Sequence, residues 1–292
     1  MGRTTAQAFS YFLSDVVGIT DHQKNSLIPA RQKKVLEYLQ QTFPATSDMP
    51  FWKAHLIGSA SKGTIIRPVE DIDVLAVFSN ENGAYGSKYV NSSQDFLYRI
   101  REAYDGVSIQ DVGARGQAVR IFFETGGYVD VAPVFWVDGD DYLLPAGDDT
   151  WITTSPLKAN TWFATRNQEL GYNLIPLVLL LKKWNRAHSE YFSSFHLETV
   201  AANVFSTLGI DYRDALHKFF LWAHGHLNAY DPGGHSGDLS SYLTYTQRSN
   251  LLGALASAEQ RAAKALEAES NGDHDEAKRL WSIVLGSDLP TG

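Results

Sequence analysis

"HLIGSASKGTIIRPVEDIDVLAVF", residues 55–78, is the stretch that decides the fold. A pair of small residues, Gly58-Ser59, follows a short apolar segment, and an apolar, β-branched run typical of a strand begins at Asp71. Asp71 and Asp73 are separated by one residue, and successive side chains of a strand point to opposite faces. Both carboxylates are therefore expected on one face of the strand, close to a small-residue turn.

The paired carboxylates have two interpretations. Two like charges on one face repel each other, and placing them near a core is costly. A divalent cation relieves this conflict, because magnesium prefers oxygen ligands and is commonly bound by carboxylates together with substrate phosphates. Alternatively, Asp71 and Asp73 stand at the end of a strand and are solvated.

A third carboxylate, Asp130, lies in a second apolar stretch. "AVRIFFE" (118–124) and "YVDVAPVF" (128–135) flank a Thr-Gly-Gly turn, a pattern typical of a β-hairpin. A charge between two valines needs a partner. If this strand neighbours that of Asp71, the three carboxylates form a cage suited to two metal ions about 3.5–4 Å apart. A cap, or a salt bridge to Arg120 across the hairpin, is the alternative.

The Gly58-Ser59 pair is suited to hold phosphate. Glycine lets the backbone approach a ligand closely, and amides at a turn or at a helix start can hold phosphate oxygens. The Ser59 hydroxyl can add one hydrogen bond. A small-residue turn, an Asp-x-Asp strand and a distant aspartate, in this order, form a more specific signal than any one of them.

The composition excludes several classes of protein. The chain has 292 residues, a formal net charge of −8 and no cysteine, so disulfides, thiolate zinc sites and a thiol nucleophile are excluded. Lysine and arginine are scattered, which disfavours an extended nucleic acid as a partner. The longest apolar run, residues 174–181, is too short to span a bilayer, and the N-terminus shows no signal-peptide pattern. We expect a soluble, cytoplasmic protein without a membrane partner.

The order of the elements predicts an α+β fold with two lobes. Apolar residues recur at helical spacing in residues 4–17 and 31–43, and strand patterns follow in the middle of the chain. Later stretches are helical in period, and Asp273 is placed to cap the last helix. We expect an α+β lobe in residues 1–155, including the N-terminal helices, and a helical lobe in residues 156–292, with the ligand cleft between them.

These motifs resemble a known enzyme family. "GSASKGTIIRPVEDIDVLAVF" with "VDVAPVF" is similar to the core of the polymerase-β-like nucleotidyltransferases, and more closely to the bacterial cGAS/DncV-like nucleotidyltransferases (CD-NTases). "LIPLVLLLKKWNR", "SSFHLE", "YDPGGHSGDLSSYL" and "EAKRLWSIVLG" resemble segments of their second half, so the resemblance covers about residues 30–289. It implies a mixed sheet in the first lobe. The chain departs from the common pattern at Ile66 and in the doubled lysine of "LKKWNR".

The resemblance implies two groups of site residues. Those that match the metal-binding catalytic triad, for two Mg²⁺ ions that Mn²⁺ can replace, are Asp71, Asp73 and Asp130. Those that match the groups on the nucleotide's phosphates are Gly58, Ser59, Lys182 and Ser194. Lys183 competes with Lys182, which is preferred because it stands two residues before Trp184.

The resemblance also implies a function. The protein would join nucleoside triphosphates, ATP foremost, into a cyclic di- or trinucleotide second messenger of anti-phage (CBASS) defence and release pyrophosphate. A downstream effector would bind the product rather than this chain, and an activating or regulatory protein is a further expected partner. The alternatives are nucleotide transfer to RNA, a protein or a small molecule, a toxin-like transferase, and a nucleotide-binding module whose catalysis has decayed.

Overall fold

The computed structural model describes residues 2–107 and 111–291. In these ranges the α-helices are α1 Thr5–Tyr11, α2 Ile28–Thr42, α3 Gly58–Lys62, α4 Ser93–Glu102, α5 Pro156–Glu169, α6 Leu174–Ala187, α7 Ser194–Val204, α8 Tyr212–Trp222, α9 Tyr245–Ser270 and α10 His274–Leu285. The strands are β1 Phe51–Ile57, β2 Asp71–Phe78, β3 Asp111–Arg115, β4 Ala118–Phe122, β5 Tyr128–Asp138, β6 Asp141–Pro145 and β7 Trp151–Thr154. Short π-helical segments occur at Phe12–Val17, Gln23–Leu27 and Tyr85–Tyr89, and a 3₁₀ turn at Ala223–His226.

Most of the predicted elements are present. The N-terminal helices and the β4–β5 hairpin are confirmed, and Pro29 lies in the first turn of α2, where no intrahelical N–H is needed. Asp273 caps α10 by accepting a hydrogen bond from the backbone N–H of Glu276 at 3.0 Å. The sequence pattern does not predict β1, because nearly all of its residues are half-buried and show no alternation. It also misses α5, whose buried face is a narrow row of Ala159, Phe163 and Asn167.

The described strands form a seven-stranded mixed sheet. Its order is β1-β2-β5-β4-β3, and β6 and β7 extend it along the second half of β5. The β2 and β5 strands are parallel, and the other pairs are antiparallel. The registers place Asp73 opposite Asp130, and Asp130 opposite Arg120 of β4. The two strands that bear the aspartates are therefore neighbours.

Two main hydrophobic cores hold the molecule together. One lies between the sheet and helices α2 and α4, and the other is formed by helices α5 to α10. Phe9 and Phe12 are buried in the second core, where the ring of Phe9 meets that of Trp281 edge-on at 5.1 Å. By sequence, α1 is expected in the first lobe. Burial of each phenylalanine contributes about 1.5–3 kcal/mol, which stabilises the packing of α1 against the helical core. The division of the chain at residue 155 stays a prediction.

The apolar run at residues 174–181 belongs to a core helix. Within residues 2–107 and 111–291, no helix combines the length and the apolar character that crossing a membrane would require. The run lies in α6, and four of its leucines, Leu174, Leu177, Leu180 and Leu181, are fully buried. The apolar side chains of α6 therefore pack the second lobe, and the same helix carries Lys182 of the candidate site.

Candidate active site between the two lobes

The small-residue turn lies directly against Asp73. Strand β1 ends at Ile57, which pairs with Asp73 on β2, and Gly58 follows with a φ of 62°. A Cβ at Gly58 would stand 2.2 Å from Asp73 Oδ2, so this position has no room for a side chain. Helix α3 starts here, as the phosphate-binding interpretation allows, and Gly63 ends it with a φ of 71°. The turn and the second aspartate thus form one structural unit.

The three predicted carboxylates concentrate negative charge at one place. Asp71 and Asp73 share a face of β2, and Asp73 stands opposite Asp130 on β5. Burial, and then the charges of Asp71 and Asp130, raises the pKa of Asp73 from 3.8 to about 7. Lys182 and Lys62 act in the opposite direction but do not cancel the effect. The strand geometry therefore brings the predicted triad together.

Asp130 also forms the ion pair that the sequence offers as the alternative. Arg120 donates from Nε to Asp130 Oδ1 at 2.8 Å and from Nη2 to Oδ2 at 2.7 Å. The guanidinium lies 3.8 Å from the ring centroid of Tyr128. Within the described parts of the chain, no three acidic or histidine side chains are gathered in a metal-holding arrangement. Both oxygens of the Asp130 carboxylate accept hydrogen bonds from Arg120 instead.

The donor set fits a hard divalent cation. Asp71 and Asp73 present carboxylate oxygens, the ligand type that Mg²⁺ prefers, from one face of a rigid strand. The repulsion that raises the pKa of Asp73 is the kind of charge imbalance that such a cation removes. Asp71 and Asp73 could therefore hold a metal ion, with Asp130 as the third carboxylate beside them.

A cavity of about 290 Å³ lies between Asp71 and the helices α6 and α7. The polar residues that line it from both lobes include Ser59, Asp71, Tyr128, Lys182, Arg186 and Ser194. Four of the seven sequence-predicted site residues thus share one cavity. The other three stand beside it: Gly58 precedes Ser59 in the chain, Asp73 follows Asp71 on β2, and Asp130 lies on the adjacent strand.

Lys182 is held by a buried network that the sequence does not reveal. Its Nζ lies 2.6 Å from Glu198 Oε1, and Lys62 Nζ lies 2.6 Å from Glu198 Oε2. Thr64 donates to Glu198 Oε1 at 2.5 Å and accepts from Lys182 at 3.2 Å. The side chains of Lys62, Lys182 and Glu198 are 6%, 7% and 2% exposed. The only sequence signal for Lys62 and Thr64 is their place in "SKGT", just after the predicted turn.

The doubled lysine divides its two side chains between different surroundings. Lys182 lines the cavity, whereas Lys183 forms an ion pair with Asp288, Nζ to Oδ2 at 2.5 Å. Neighbouring residues of a helix point about 100° apart, so the two lysines cannot serve the same cavity. Of the two lysines, Lys182, which the resemblance favours, is the one that lies at the cavity.

The position of Ser194 depends on the turn before α7. Asn185 donates to the carbonyl of Phe192 at 2.8 Å and accepts from its N–H at 3.0 Å, which ties this turn to α6. Ser193 caps α7, and Ser194 is its first residue. His196, in the first turn of α7, is fully buried, and its Nε2 lies 2.7 Å from the carbonyl oxygen of Leu227. This contact links α7 to the residue that follows the 3₁₀ turn.

Comparison with known proteins identifies relatives along the whole chain. The family profile of the Second Messenger Oligonucleotide or Dinucleotide Synthetase domain matches residues 3–167. A probable cyclic nucleotide synthase of Bacillus cereus strain VD146 is 24% identical over 335 aligned positions, which cover 100% of this chain and 99% of the relative. A cyclic AMP-AMP-AMP synthase of Escherichia coli strain MS 115-1 is 29% identical over 179 positions, which cover 56% of this chain and 54% of the relative.

Solved structures share the fold. E. coli MS115-1 CdnC in its structure with ATP superposes with a TM-score of 0.81 at 20% identity, over 99% of both chains. The same protein in complex with HORMA-deltaN gives a TM-score of 0.78 at 20% identity, over 97% of both chains. The predicted α+β fold with a mixed sheet and a helical lobe is thereby confirmed.

Proposed function

The chain belongs to the Second Messenger Oligonucleotide or Dinucleotide Synthetase family and is a cGAS/DncV-like nucleotidyltransferase, and we propose that it joins nucleoside triphosphates, ATP foremost, into a cyclic di- or trinucleotide with release of pyrophosphate. The names of its two relatives support a cyclic product. The observation that carries the proposal is the shared cavity. Ser59, Asp71, Lys182 and Ser194 line it together although they come from four separate elements of two lobes.

In the proposed complex the triphosphate lies along this cavity. Ser59 and Ser194 offer hydroxyl groups, and Lys182 offers the ammonium group of a side chain that is 7% exposed. A charge in such a partly dry site acts more strongly than one in bulk water, because the effective dielectric constant is lower. Gly58 permits the backbone of the turn to lie against the carboxylates. Together these groups fix the polyphosphate of the donor nucleotide.

The carboxylates are proposed as ligands of the metal. Enzymes of this family generally depend on a divalent metal, and we assign Asp71, Asp73 and Asp130 to hold two Mg²⁺ or Mn²⁺ ions. When bound, such ions balance the charge of the polyphosphate and lower the pKa of the attacking hydroxyl. Asp71 and Asp73 would bind the ions from one face of β2. Asp130 would give up its ion pair with Arg120 to become a ligand.

The proposed nucleotidyl transfer needs no reagent besides the nucleoside triphosphates and water. A 2′ or 3′ hydroxyl of one nucleotide releases its proton to water, and its oxygen forms a bond to the α-phosphorus of another nucleotide. The bond from the α-phosphorus to its bridging oxygen breaks, and pyrophosphate leaves. The same step within the linear intermediate closes the ring. The contribution of Ser59, Lys182 and Ser194 is to hold the donor in line, since positioning alone can remove a large part of such a barrier.

Two kinds of macromolecular partner follow from this function. We propose that a separate effector in anti-phage signalling binds the cyclic product, so that it has no need to contact this chain. A regulatory protein is the second kind. E. coli MS115-1 CdnC, whose fold this chain shares, was solved in complex with HORMA-deltaN, which supports a partner protein for this chain as well.

A product assay tests the proposal. The purified protein is incubated with all four nucleoside triphosphates and Mg²⁺, and in parallel with Mn²⁺, and is treated with phosphatase before mass spectrometry. We expect a phosphatase-resistant cyclic nucleotide from the wild type and from Asp138→Ala, a change at an exposed aspartate of β5. Asp71→Ala should lose at least about two orders of magnitude of product, the usual scale for removing a key electrostatic group.

The same assay separates the alternatives. Wild-type product yield from a variant with both Asp71→Ala and Asp73→Ala would contradict the proposed site. Labelled nucleotide transferred to added RNA or protein, with no cyclic species, would favour the other nucleotidyltransferase functions. Tight ATP binding without any transfer under both metals would favour a decayed nucleotide-binding module.

A further inference from the structure

A buried charge cluster joins the two lobes beside the cavity. Lys62 at the end of α3 belongs to the first lobe, whereas Lys182 on α6 and Glu198 on α7 belong to the second. Each lysine lies 2.6 Å from a different oxygen of the one carboxylate. Burial by itself would raise the pKa of Glu198, but the charges of Lys182 and Lys62 outweigh it and hold that pKa below its usual value. The ionised cluster therefore carries one net positive charge.

The two lysines are not equivalent. Lys182 lines the cavity and also contacts Thr64. Lys62 instead packs over aromatic rings, with its Nζ 4.7 Å from the ring centroid of Phe195 and 5.8 Å from that of Phe163. Cation–π contacts of this kind hold an ammonium group at a fixed place in a partly dry environment. Lys62 is thus directed at Glu198 and away from solvent, as a counter-charge.

We propose that Lys62 is a positioning residue that neutralises Glu198 and so leaves the charge of Lys182 available to a polyphosphate in the cavity. With Lys182 alone, the buried pair with Glu198 would be neutral, and its two opposite charges would largely cancel at the ligand. With Lys62 present, the carboxylate still fixes Lys182 in place, but the cluster attracts an anion. Glu198 therefore fixes the position of Lys182, and Lys62 balances the negative charge of Glu198.

The inference rests on the proposed function only in taking the cavity as a polyphosphate site. Its test measures binding, not turnover. Inorganic tripolyphosphate is titrated calorimetrically into the full-length chain with Mg²⁺, for the wild type and for Lys62→Met. We expect the variant to bind on the order of tenfold more weakly, because the charge of the cluster falls from +1 to zero while Glu198 keeps Lys182 as its partner.

Lys183→Met is the matched control. It removes one lysine with the same change in net charge of the protein, but from an ion pair with Asp288 that does not line the cavity. We expect its affinity for tripolyphosphate to stay within about twofold of the wild type. Thermal unfolding of all variants verifies that they are folded under the conditions of the titration.

The double variant Lys62→Met/Glu198→Gln decides between charge and structure. It restores the net charge of +1, since Lys182 is then the only charged group of the cluster. We expect its affinity to recover to within about threefold of the wild type. If the network acted only as a structural support, the two changes would add their damage, and a double variant that binds as weakly as Lys62→Met would overturn the proposal.

Two further outcomes separate this inference from the proposed function. Wild-type protein that binds tripolyphosphate, with no weakening in Lys62→Met, would refute the role of Lys62 and leave the proposed function standing. Wild-type protein that does not bind tripolyphosphate would refute both the phosphate site and the inference. Recovery in the double variant together with an unchanged Lys183→Met would support the charge-balancing role.

Discussion

Arg120 on β4 and Asp130 on β5 form a two-hydrogen-bond ion pair across the hairpin, with Nε–Oδ1 at 2.8 Å and Nη2–Oδ2 at 2.7 Å. The ring of Tyr128, 3.8 Å from the guanidinium carbon, fixes the arginine from a second side. Arg120 thereby supplies positive charge beside the three carboxylates. We infer that this arginine fixes the orientation of the Asp130 carboxylate and balances part of the negative charge of the three aspartates.

The first prediction concerns Arg120→Leu. In EDTA, the variant should be less stable than the wild type by about 1–3 kcal/mol, the range for a partly buried group left without its partner. Because the unpaired carboxylate of Asp130 then adds to the negative charge, Mg²⁺ should raise the midpoint of thermal unfolding more in the variant than in the wild type. Differential scanning fluorimetry with and without Mg²⁺ measures both effects.

Arg99→Leu provides the control for this prediction. Arg99 of α4 also donates two hydrogen bonds to one aspartate, Asp48, but neither residue of this pair lines the cavity. We expect a loss of stability without a change in the Mg²⁺ response. Equal Mg²⁺ responses in Arg120→Leu and the wild type would show that Arg120 is not coupled to the metal site.

The second prediction compares two glycines with left-handed backbones. Gly58 has a φ of 62° and Gly83 a φ of 69°, so alanine is strained at both, by about 1–2 kcal/mol. Only at Gly58 does the added Cβ meet a carboxylate, Asp73 Oδ2 at 2.2 Å, because nothing lies within 4 Å of it at Gly83. Gly58→Ala should therefore lose activity on the order of a hundredfold, whereas Gly83→Ala should only lower the unfolding temperature. Similar activities of the two variants would contradict the role of the turn.

Local patterns predict the parts of the site that depend on strand geometry. The alternation of side chains places Asp71 and Asp73 on one face, and the Thr-Gly-Gly turn sets the hairpin that pairs Arg120 with Asp130. The sequence leaves the metal cluster and the ion pair of Asp130 as alternatives. The structure shows the ion pair with Arg120 and places Asp130 opposite Asp73, but within the described residues it gathers no three carboxylates in a metal-holding arrangement.

The parts of the site that depend on docking of the lobes escape prediction. Lys62 and Glu198 are 136 residues apart, and no periodicity connects a lysine in a short turn with a glutamate on a distant helix. The packing of α1 is not predictable for the same reason, since Phe9 contacts Trp281 at the other end of the chain. Only the resemblance to a family, which covers both halves, suggests that these segments meet.

The third prediction concerns Asp73→Asn in metal-free protein. The pKa of Asp73 is about 7 in the folded state, compared with 3.8 for the ordinary side chain of the unfolded state. The contribution of this group to the free energy of unfolding therefore falls as the pH rises between these two values. At pH 8 the asparagine variant should be more stable than the wild type by up to a few kcal/mol, since one pKa unit corresponds to about 1.4 kcal/mol. It should nevertheless make no product.

Denaturant unfolding in EDTA at pH 5 and pH 8 measures this effect. The gain should be clearly larger at pH 8 than at pH 5, because only about one of the three pH units over which the wild-type stability falls lies below pH 5. Asp138→Asn, at an exposed position of β5, is the control and should change stability by less than about 0.5 kcal/mol at either pH. A gain that is equal at both pH values would indicate a packing effect instead of relief of charge repulsion.

The last prediction separates the two adjacent lysines. Lys182→Met should raise KM for ATP on the order of ten- to a hundredfold, because the lysine lines the cavity and its charge is desolvated. Lys183→Met should leave KM within about twofold, because its ammonium group pairs with Asp288. Initial rates of pyrophosphate release over a range of ATP concentrations measure both. A fall in kcat alone for Lys182→Met would mean that this lysine supports the structure around Glu198 without contacting phosphate. A raised KM for Lys183→Met would mean that the phosphate site lies on the other face of α6.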